Sequence, residues 1–426
     1  MTPRPPIDVW RVLAAADAAS PVDAVEAVAA ELGSAFGAEA VSFLIADLSG
    51  RALIRLAHVP LLARVDGERR HEGESATAIP FDGGPLEQAL RTQTVQVLAP
   101  DDAAADAHRW RVLAPVTERG DIVGLLEMTL AREPSTETVQ AIAQVAHLMS
   151  YVVIANRRHT DLFEWGQRSR PFTLSAEIQQ RLLPQSRTCE ATAFTLAGWL
   201  EPAASIGGDT FDYSLARDVL YLSLTDAMGH GVGAALTATT CVASLRGSRR
   251  AGATLVEQVR EANASLCRHA SRGKEDDFAT GVLGRVDLTT GALDIVNAGH
   301  VAPFLVRSGL VSMLGLRPDL PMGMFADTGY TSTRVELTAG DRIVFVTDGM
   351  LERNVAGVDL PSTLADTHTL HPREAVRALA DRALEAAGHA LADDATLLCL
   401  DWHGSHDRDR STVAGADPAR ASDPLD

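Results

Sequence analysis

Residues 206–233, IGGDTFDYSLARDVLYLSLTDAMGHGVG, constrain this chain more than any other stretch. They carry two aspartate-bearing turns, Gly207-Gly208-Asp209 and Asp226-Ala227-Met228-Gly229-His230-Gly231. Between them an apolar run at 219–224 (VLYLSL) predicts a strand that delivers Asp226 into a Gly-rich turn. Glycine adopts backbone angles that other residues resist, so the chain can turn sharply there and approach a ligand closely. An acidic side chain at such a turn can offer its carboxylate, and neighbouring carbonyls, to a hard cation. The stretch taken alone also reads as an ordinary hairpin with aspartate as turn former.

Two later segments repeat the pattern. Residues 343–349 (IVFVTDG) run an apolar strand into an Asp-Gly turn at Asp348, and Asp393 and Asp394 stand just before the apolar run 397–400. The acidic positions therefore fall at strand ends or tight turns. Clustered carboxylates repel one another and are costly unless cations occupy the cluster. Mg2+ or Mn2+ suits all-oxygen ligands, and two such ions sharing a carboxylate can activate a water for attack on a phosphate.

The segments GGDTFDY, TDAMGHGVGAAL, FATGVLGRVD, NAGHVAPFLV, VFVTDGMLE and DDATLLCL follow one another in this order. In that order they resemble the metal-dependent serine/threonine phosphatases of the protein phosphatase 2C superfamily. The resemblance is to the bacterial branch typified by the sporulation phosphatase and the stress-response regulators of sigma factors. It covers residues 172–402. It implies an αββα sandwich within an α+β chain. It further implies that Asp209, Asp226, Asp348 and Asp393 are the catalytic residues, as ligands of two Mn2+ or Mg2+ ions, with the backbone carbonyl of Ala227 as a further ligand. The substrate it implies is a phosphorylated protein, an anti-sigma-factor antagonist of the STAS type.

Other residues take plainer expectations. Asp212 is read as stabilising its turn rather than binding a third ion, and Asp394 as an alternative or accessory ligand. His230 and His300 are read as structural, and Thr280 and Gly281 as shaping the floor of the site. No residue matches the phosphate-binding arginine of the eukaryotic relatives. Thr210 and Ala227-Met228 depart from the family pattern but leave the carboxylates intact. Two rival readings stay open: a two-metal hydrolase of small phosphoesters, and a catalytically silent docking scaffold.

Ahead of this region, residues 8–157 read as helix, two strands, a variable middle, a hairpin (RVLAPVTERGDIVGLLEMTLA) and a long exit helix. This order resembles a GAF-type sensor domain that answers to an unknown small-molecule or protein signal; the alternative is a generic α+β domain. The exit helix, 136–158, carries Val139, Ile142, Val145, Ala146, Met149, Val152 and Val153 on one side and offers a seam for a homodimer. A helical linker is expected over 158–190, the phosphatase domain over 191–403, and a disordered polar tail over 404–426. His58, His71 and His108 are expected at the surface.

The net charge of −18 over 426 residues argues against a nucleic-acid partner and does not favour an anionic membrane surface. Cys189, Cys241, Cys267 and Cys399 have neither metal-like nor disulfide-like spacing and read as reduced thiols. With no apolar run of about 18 residues and no signal-peptide pattern noted, a cytoplasmic location is the expectation.

Overall fold

The computed structural model describes residues 7–48, 50–60, 78–100, 109–168, 173–201, 207–270, 277–351, 359–388, 391 and 393–404. His71, His108 and the tail beyond residue 404 lie outside these. The chain divides at residues 171–172 into two compact units.

The N-terminal unit runs α1 (Val9–Ala18), α2 (Ala24–Phe36), β1 (Ala40–Ala46), β2 (Ala52–Pro60), β3 (Ala78–Pro80), α3 (Pro85–Thr92) and β4 (Gln96–Leu98). It continues with β5 (Trp110–Glu118), β6 (Asp121–Leu130), α4 (Thr136–Asn156), a 3-10 turn and α5 (Leu162–Gly166). The strands form one antiparallel sheet in the order β3-β2-β1-β6-β5-β4. Strand periodicity sorts its side chains. Val41, Phe43, Ile45, Val112, Ala114 and Met128 pack with α1, α2 and α4, whereas Leu44, Leu53, Leu113 and Leu125 face α3. The β5–β6 hairpin turns through Arg119 and Gly120, both at positive φ, as the Arg-Gly-Asp sequence suggests.

Three expectations are revised here. The break at Ser20-Pro21, where the sequence suggests that Ser20 caps and Pro21 opens the second helix, is followed by a turn instead: the Ser20 hydroxyl donates to Asp23, and α2 begins at Ala24. The exit helix ends at Asn156, and Thr160 is extended, so no continuous helix leads onward. The apolar side of α4 is buried in the unit's own core, leaving Tyr151 as its large exposed hydrophobe. Residues 136–159 are, among the described residues, a stretch long and apolar enough to cross a membrane, yet half of its most apolar window is buried inside the unit.

The C-terminal unit opens with α6 (Leu174–Leu182), capped by Thr173 and stopped by extended Leu183 ahead of Pro184. There follow β7 (Thr188–Glu190), β8 (Phe194–Glu201), β9 (Asp209–Leu215), β10 (Val219–Ala227), α7 (Gly231–Arg250) and α8 (Leu255–Ala270). Then come β11 (Ala279–Asp287), β12 (Ala292–Ala298), β13 (Phe304–Arg307), β14 (Leu310–Met313), β15 (Thr333–Glu336) and β16 (Arg342–Val346). The unit closes with α9 (Leu360–Asp366), α10 (Pro372–Ala386) and β17 (Ala395–Trp402). The linker expected over 158–190 is thus divided: Phe163 is buried in the N-terminal core, while α6 and β7 belong to the C-terminal unit.

Two antiparallel sheets stack, β15-β12-β11-β10-β9 and β14-β13-β16-β17-β8-β7. Leu196, Leu200, Phe211, Leu222, Leu224, Val282, Phe345 and Leu398 fill the space between them. Gly198 allows this stacking, since a Cβ there would stand 2.4 Å from the Phe211 ring. Helices α7 and α8 cover the outside of the first sheet, and α9 and α10 the outside of the second. This is the αββα sandwich that the resemblance implied, within an α+β chain.

Candidate active site

Strand parity places the acidic groups. Successive side chains point to opposite faces, so residues two apart share one. Asp209 shares the inner face of β9 with Phe211, and Asp226 shares that of β10 with Leu224. The β9–β10 ladder sets Asp209 directly opposite Asp226. On the facing sheet Thr347 continues the inner stripe of Phe345, while Thr396 and Asp394 continue that of Leu398. The core between the sheets therefore turns from apolar to polar at one end.

Two glycines bring the turns together. A Cβ on Gly208 would stand 2.4 Å from the Ala227 carbonyl oxygen, and one on Gly349 would stand 2.0 Å from the Asp394 carbonyl oxygen. Only a residue without a side chain permits either approach. Asp348 then opens a short 3-10 turn after β16 and is exposed, while Asp393 is partly exposed and accepts a hydrogen bond from the Asp394 amide at 2.8 Å.

Asp209 is buried, and its Oδ2 accepts two hydrogen bonds of 2.7 Å, from Thr347 Oγ1 and Thr396 Oγ1. Asp394 is buried too. Its Oδ2 accepts from Gln179 Nε2 on α6 at 2.6 Å and from the Gly208 amide at 3.1 Å. Gln179 Nε2 also donates to the Asp209 carbonyl at 2.8 Å.

The charges strain this arrangement. Burial, then the charges of Asp226 and Asp394, hold the Asp209 carboxyl well above its usual range, against the pull of the two threonine hydroxyls. Asp226 is pushed up to about 7 by burial and by Asp348, Asp393 and Asp394. Asp393 is raised by burial and by Asp348. Groups that press protons onto one another in this way favour a divalent cation in the protons' place, and a set of carboxylate and carbonyl oxygens suits Mg2+ or Mn2+. Among the described residues, no three acidic, histidine or cysteine side chains already enclose one point. The carboxylates share a field rather than a preformed cage.

Residues 216–403 match the family model described as Stage II sporulation protein E (SpoIIE), and residues 20–153 match that of the GAF domain. The chain joins a GAF domain to a SpoIIE domain. Protein IcfG of Synechocystis sp. is 24% identical over 203 residues, 41% of this chain and 32% of that protein. Phosphoserine phosphatase RsbP of Bacillus subtilis is 22% identical over 241 residues, 54% of this chain and 58% of that protein. The chain thus spans less than two thirds of either relative. Among solved structures, the SiaA-PP2C domain of Pseudomonas aeruginosa superposes with a TM-score of 0.44 at 21% identity, covering 54% of this chain and 94% of that one.

Within the SpoIIE domain, Asp226, Asp348 and Asp393 fall inside the matched segment, and Asp209 lies seven residues before it. Asp209 is the first residue of β9 rather than a turn residue. Asp212 is not a turn residue either. It sits on the outer face of β9, where Arg246 pairs with it at 2.9 Å and Arg249 at 3.3 Å from α7. His230 stands exposed at the N-cap of α7 and makes no hydrogen bond to a described residue, so the structural role expected for it is not seen. His300 is held at both nitrogens: Nδ1 lies 2.7 Å from Thr280 Oγ1 and Nε2 lies 3.2 Å from the Val346 carbonyl. Because that carbonyl only accepts, Nε2 carries the proton and Nδ1 accepts from Thr280. The imidazole so ties the strand opposite Asp226 to the strand that leads into Asp348.

The sequence reading missed Thr347, Thr396 and Gln179. The signal for the threonines was parity: each continues an inward apolar stripe one step beyond the strand's last large side chain. Nothing local in the sequence marks Gln179, whose carboxylate partner lies 215 residues away.

Proposed function

We propose that the SpoIIE domain is a metal-dependent phosphatase acting on phosphoserine or phosphothreonine in a protein substrate. Asp209, Asp226, Asp348, Asp393 and the Ala227 carbonyl would hold two Mn2+ or Mg2+ ions. The observation that carries this reading is the Asp226 carboxyl, pushed up to about 7 amid Asp348, Asp393 and Asp394. Bound there, the ions would supply Lewis acidity, acidifying a water and drawing charge from the phosphoryl oxygens. The protein's part is to fix the donors: the β9–β10 ladder sets Asp209 against Asp226, and the Gly349–Asp394 contact seats Asp348 beside Asp393. The cleft end of the sandwich is built of carboxylates and hydroxyls, and Arg246 and Arg249, the arginines of α7 nearest β9, are committed to Asp212. Phosphate binding therefore falls to the ions and main-chain groups rather than to these cations.

The kinship with a phosphoserine phosphatase supports a phosphoprotein substrate, and we place it in the class of STAS-type anti-sigma-factor antagonists. The GAF domain would sense the signal that regulates this activity. Turnover of a serine-phosphorylated STAS domain, compared with turnover of nucleotides under the same Mn2+, tests the assignment. Preference for the phosphoprotein is expected; faster hydrolysis of nucleotides would make the enzyme a small-phosphoester hydrolase.

A further inference from the structure

Thr347 and Thr396 are both fully buried; Thr347 directly follows β16 and Thr396 lies in β17, neighbouring strands of the sheet that faces Asp209. Their hydrogen bonds form a directed set. The Thr396 amide donates to Thr347 Oγ1 at 3.0 Å, and the Thr347 amide donates to the Thr396 carbonyl at 3.1 Å. With an N–H occupying a lone pair of Thr347 Oγ1, its own proton is aimed at Asp209 Oδ2, and Thr396 Oγ1 donates to the same oxygen. Both hydroxyls are therefore spent on one carboxylate oxygen.

The consequence is rotational. A lone buried carboxylate can turn about its Cβ–Cγ bond and present either oxygen, or both. Two donors converging on Oδ2 oppose that rotation and leave Oδ1 free of the threonine hydroxyls. The clasp runs from one sheet to the other, so it also fixes the distance between the strand ends that carry the acidic turns.

We infer that Thr347 and Thr396 are positioning residues: together they hold the Asp209 carboxylate so that one oxygen alone is offered to a divalent cation. This rests on the phosphatase reading of the site, because the cation is the group that reading requires. It adds that two hydroxyls with no access to substrate set the affinity for the ion. Groups that orient a ligand side chain typically contribute roughly ten- to hundredfold in metal affinity.

The test is calorimetric titration of the full chain with Mn2+ alone, with thermal unfolding of the metal-free protein measured alongside. The variants are Thr347→Val, Thr396→Val, the double substitution, Thr347→Ser, Thr396→Ser and Asp226→Asn. Valine matches threonine in shape and removes only the hydroxyl; serine keeps the hydroxyl. Each valine variant is expected to bind Mn2+ about tenfold or more weakly. The double variant should lose less than the product of the two, because both donors act on one oxygen. The serine variants should stay within about threefold of the natural chain, as expected for a role carried by the hydroxyl. Valine variants that bind Mn2+ as the natural chain does would overturn the inference, whatever their unfolding temperatures. So would serine variants as weak as the valine ones, since the methyl group and not the hydroxyl would then matter. If the natural chain binds no better than Asp226→Asn, the inference and the phosphatase reading fall together. Binding by the natural chain that is lost in Asp226→Asn and kept in the valine variants sinks the inference alone.

Discussion

At the scale of single residues, Asp226 carries the electrostatic cost of the proposed cation site. Its carboxyl is pushed up to about 7, so near pH 8 the metal-free protein holds a charge that its neighbours oppose. Replacing Asp226 by Asn removes that opposition. The metal-free variant should be more stable than the natural chain at pH 8 by on the order of 2 kcal/mol while losing metal-dependent turnover. Chemical denaturation in chelator measures the first effect, and a less stable variant would contradict the electrostatic account. His300 makes a prediction of the opposite kind. Burial is the main cause that pushes its imidazole down to about 4, so the folded protein keeps it neutral where the unfolded chain would protonate it. A histidine lowered in this way contributes stability above its unfolded value near 6.5 that is lost as pH falls toward 4. The stability gap between the natural chain and His300→Asn should therefore narrow by up to about 3 kcal/mol over that fall. Denaturation curves at several pH values test it, and a constant gap would mean that the ring is not held neutral.

At the scale of elements, the first question is why Asp212 is not part of the acidic site although it lies three residues from Asp209. An odd spacing on a strand sends the two side chains to opposite faces. Asp212 meets α7, and Arg246, one of its partners, also donates to the Leu182 carbonyl at the end of α6. Strand β9, α6 and α7 are thereby joined through one guanidinium. Removing Asp212 leaves two arginines without their carboxylate, so Asp212→Ala should cost about 3 kcal/mol of stability. Mn2+ affinity should be unchanged, as calorimetry can show; a large loss of affinity would make Asp212 a ligand after all. Gly208→Ala should behave the other way round. It drives a methyl group toward the Ala227 carbonyl and should impair Mn2+ binding before it unfolds the domain.

The same elements show what the sequence could convey. Strands β10 and β16 were legible because their apolar runs are compact and end in Asp-Gly or Gly-rich turns. The αββα arrangement came from the family resemblance that the order of the motifs carried. Asp209 was misplaced by one step because its glycines read as a turn, whereas β9 begins at the aspartate itself. The threonine clasp was hidden for a different reason: its bonds join residues 138 and 187 positions apart. Only the stacking of two sheets brings those residues together, and no local pattern reports stacking.

At the scale of the whole molecule, the GAF and SpoIIE domains have separate cores. Such a chain should unfold in two steps, of which Mn2+ raises one. At about a hundred times its dissociation constant, the ion should stabilise the SpoIIE step by about 2.7 kcal/mol and leave the GAF step unmoved. Differential scanning calorimetry reads both steps in one experiment, and equal shifts in both would place the binding elsewhere. The central claim is that the four carboxylates at the polar end of the sandwich make a metal-dependent phosphatase. Its most direct test is phosphate release from a generic aryl phosphate by the purified full chain with Mn2+, with chelator, and with Asp226→Asn in place of the natural residue. The account predicts release that needs the metal and vanishes in the variant. Release that persists in chelator, or that survives the loss of the Asp226 carboxylate, would contradict it.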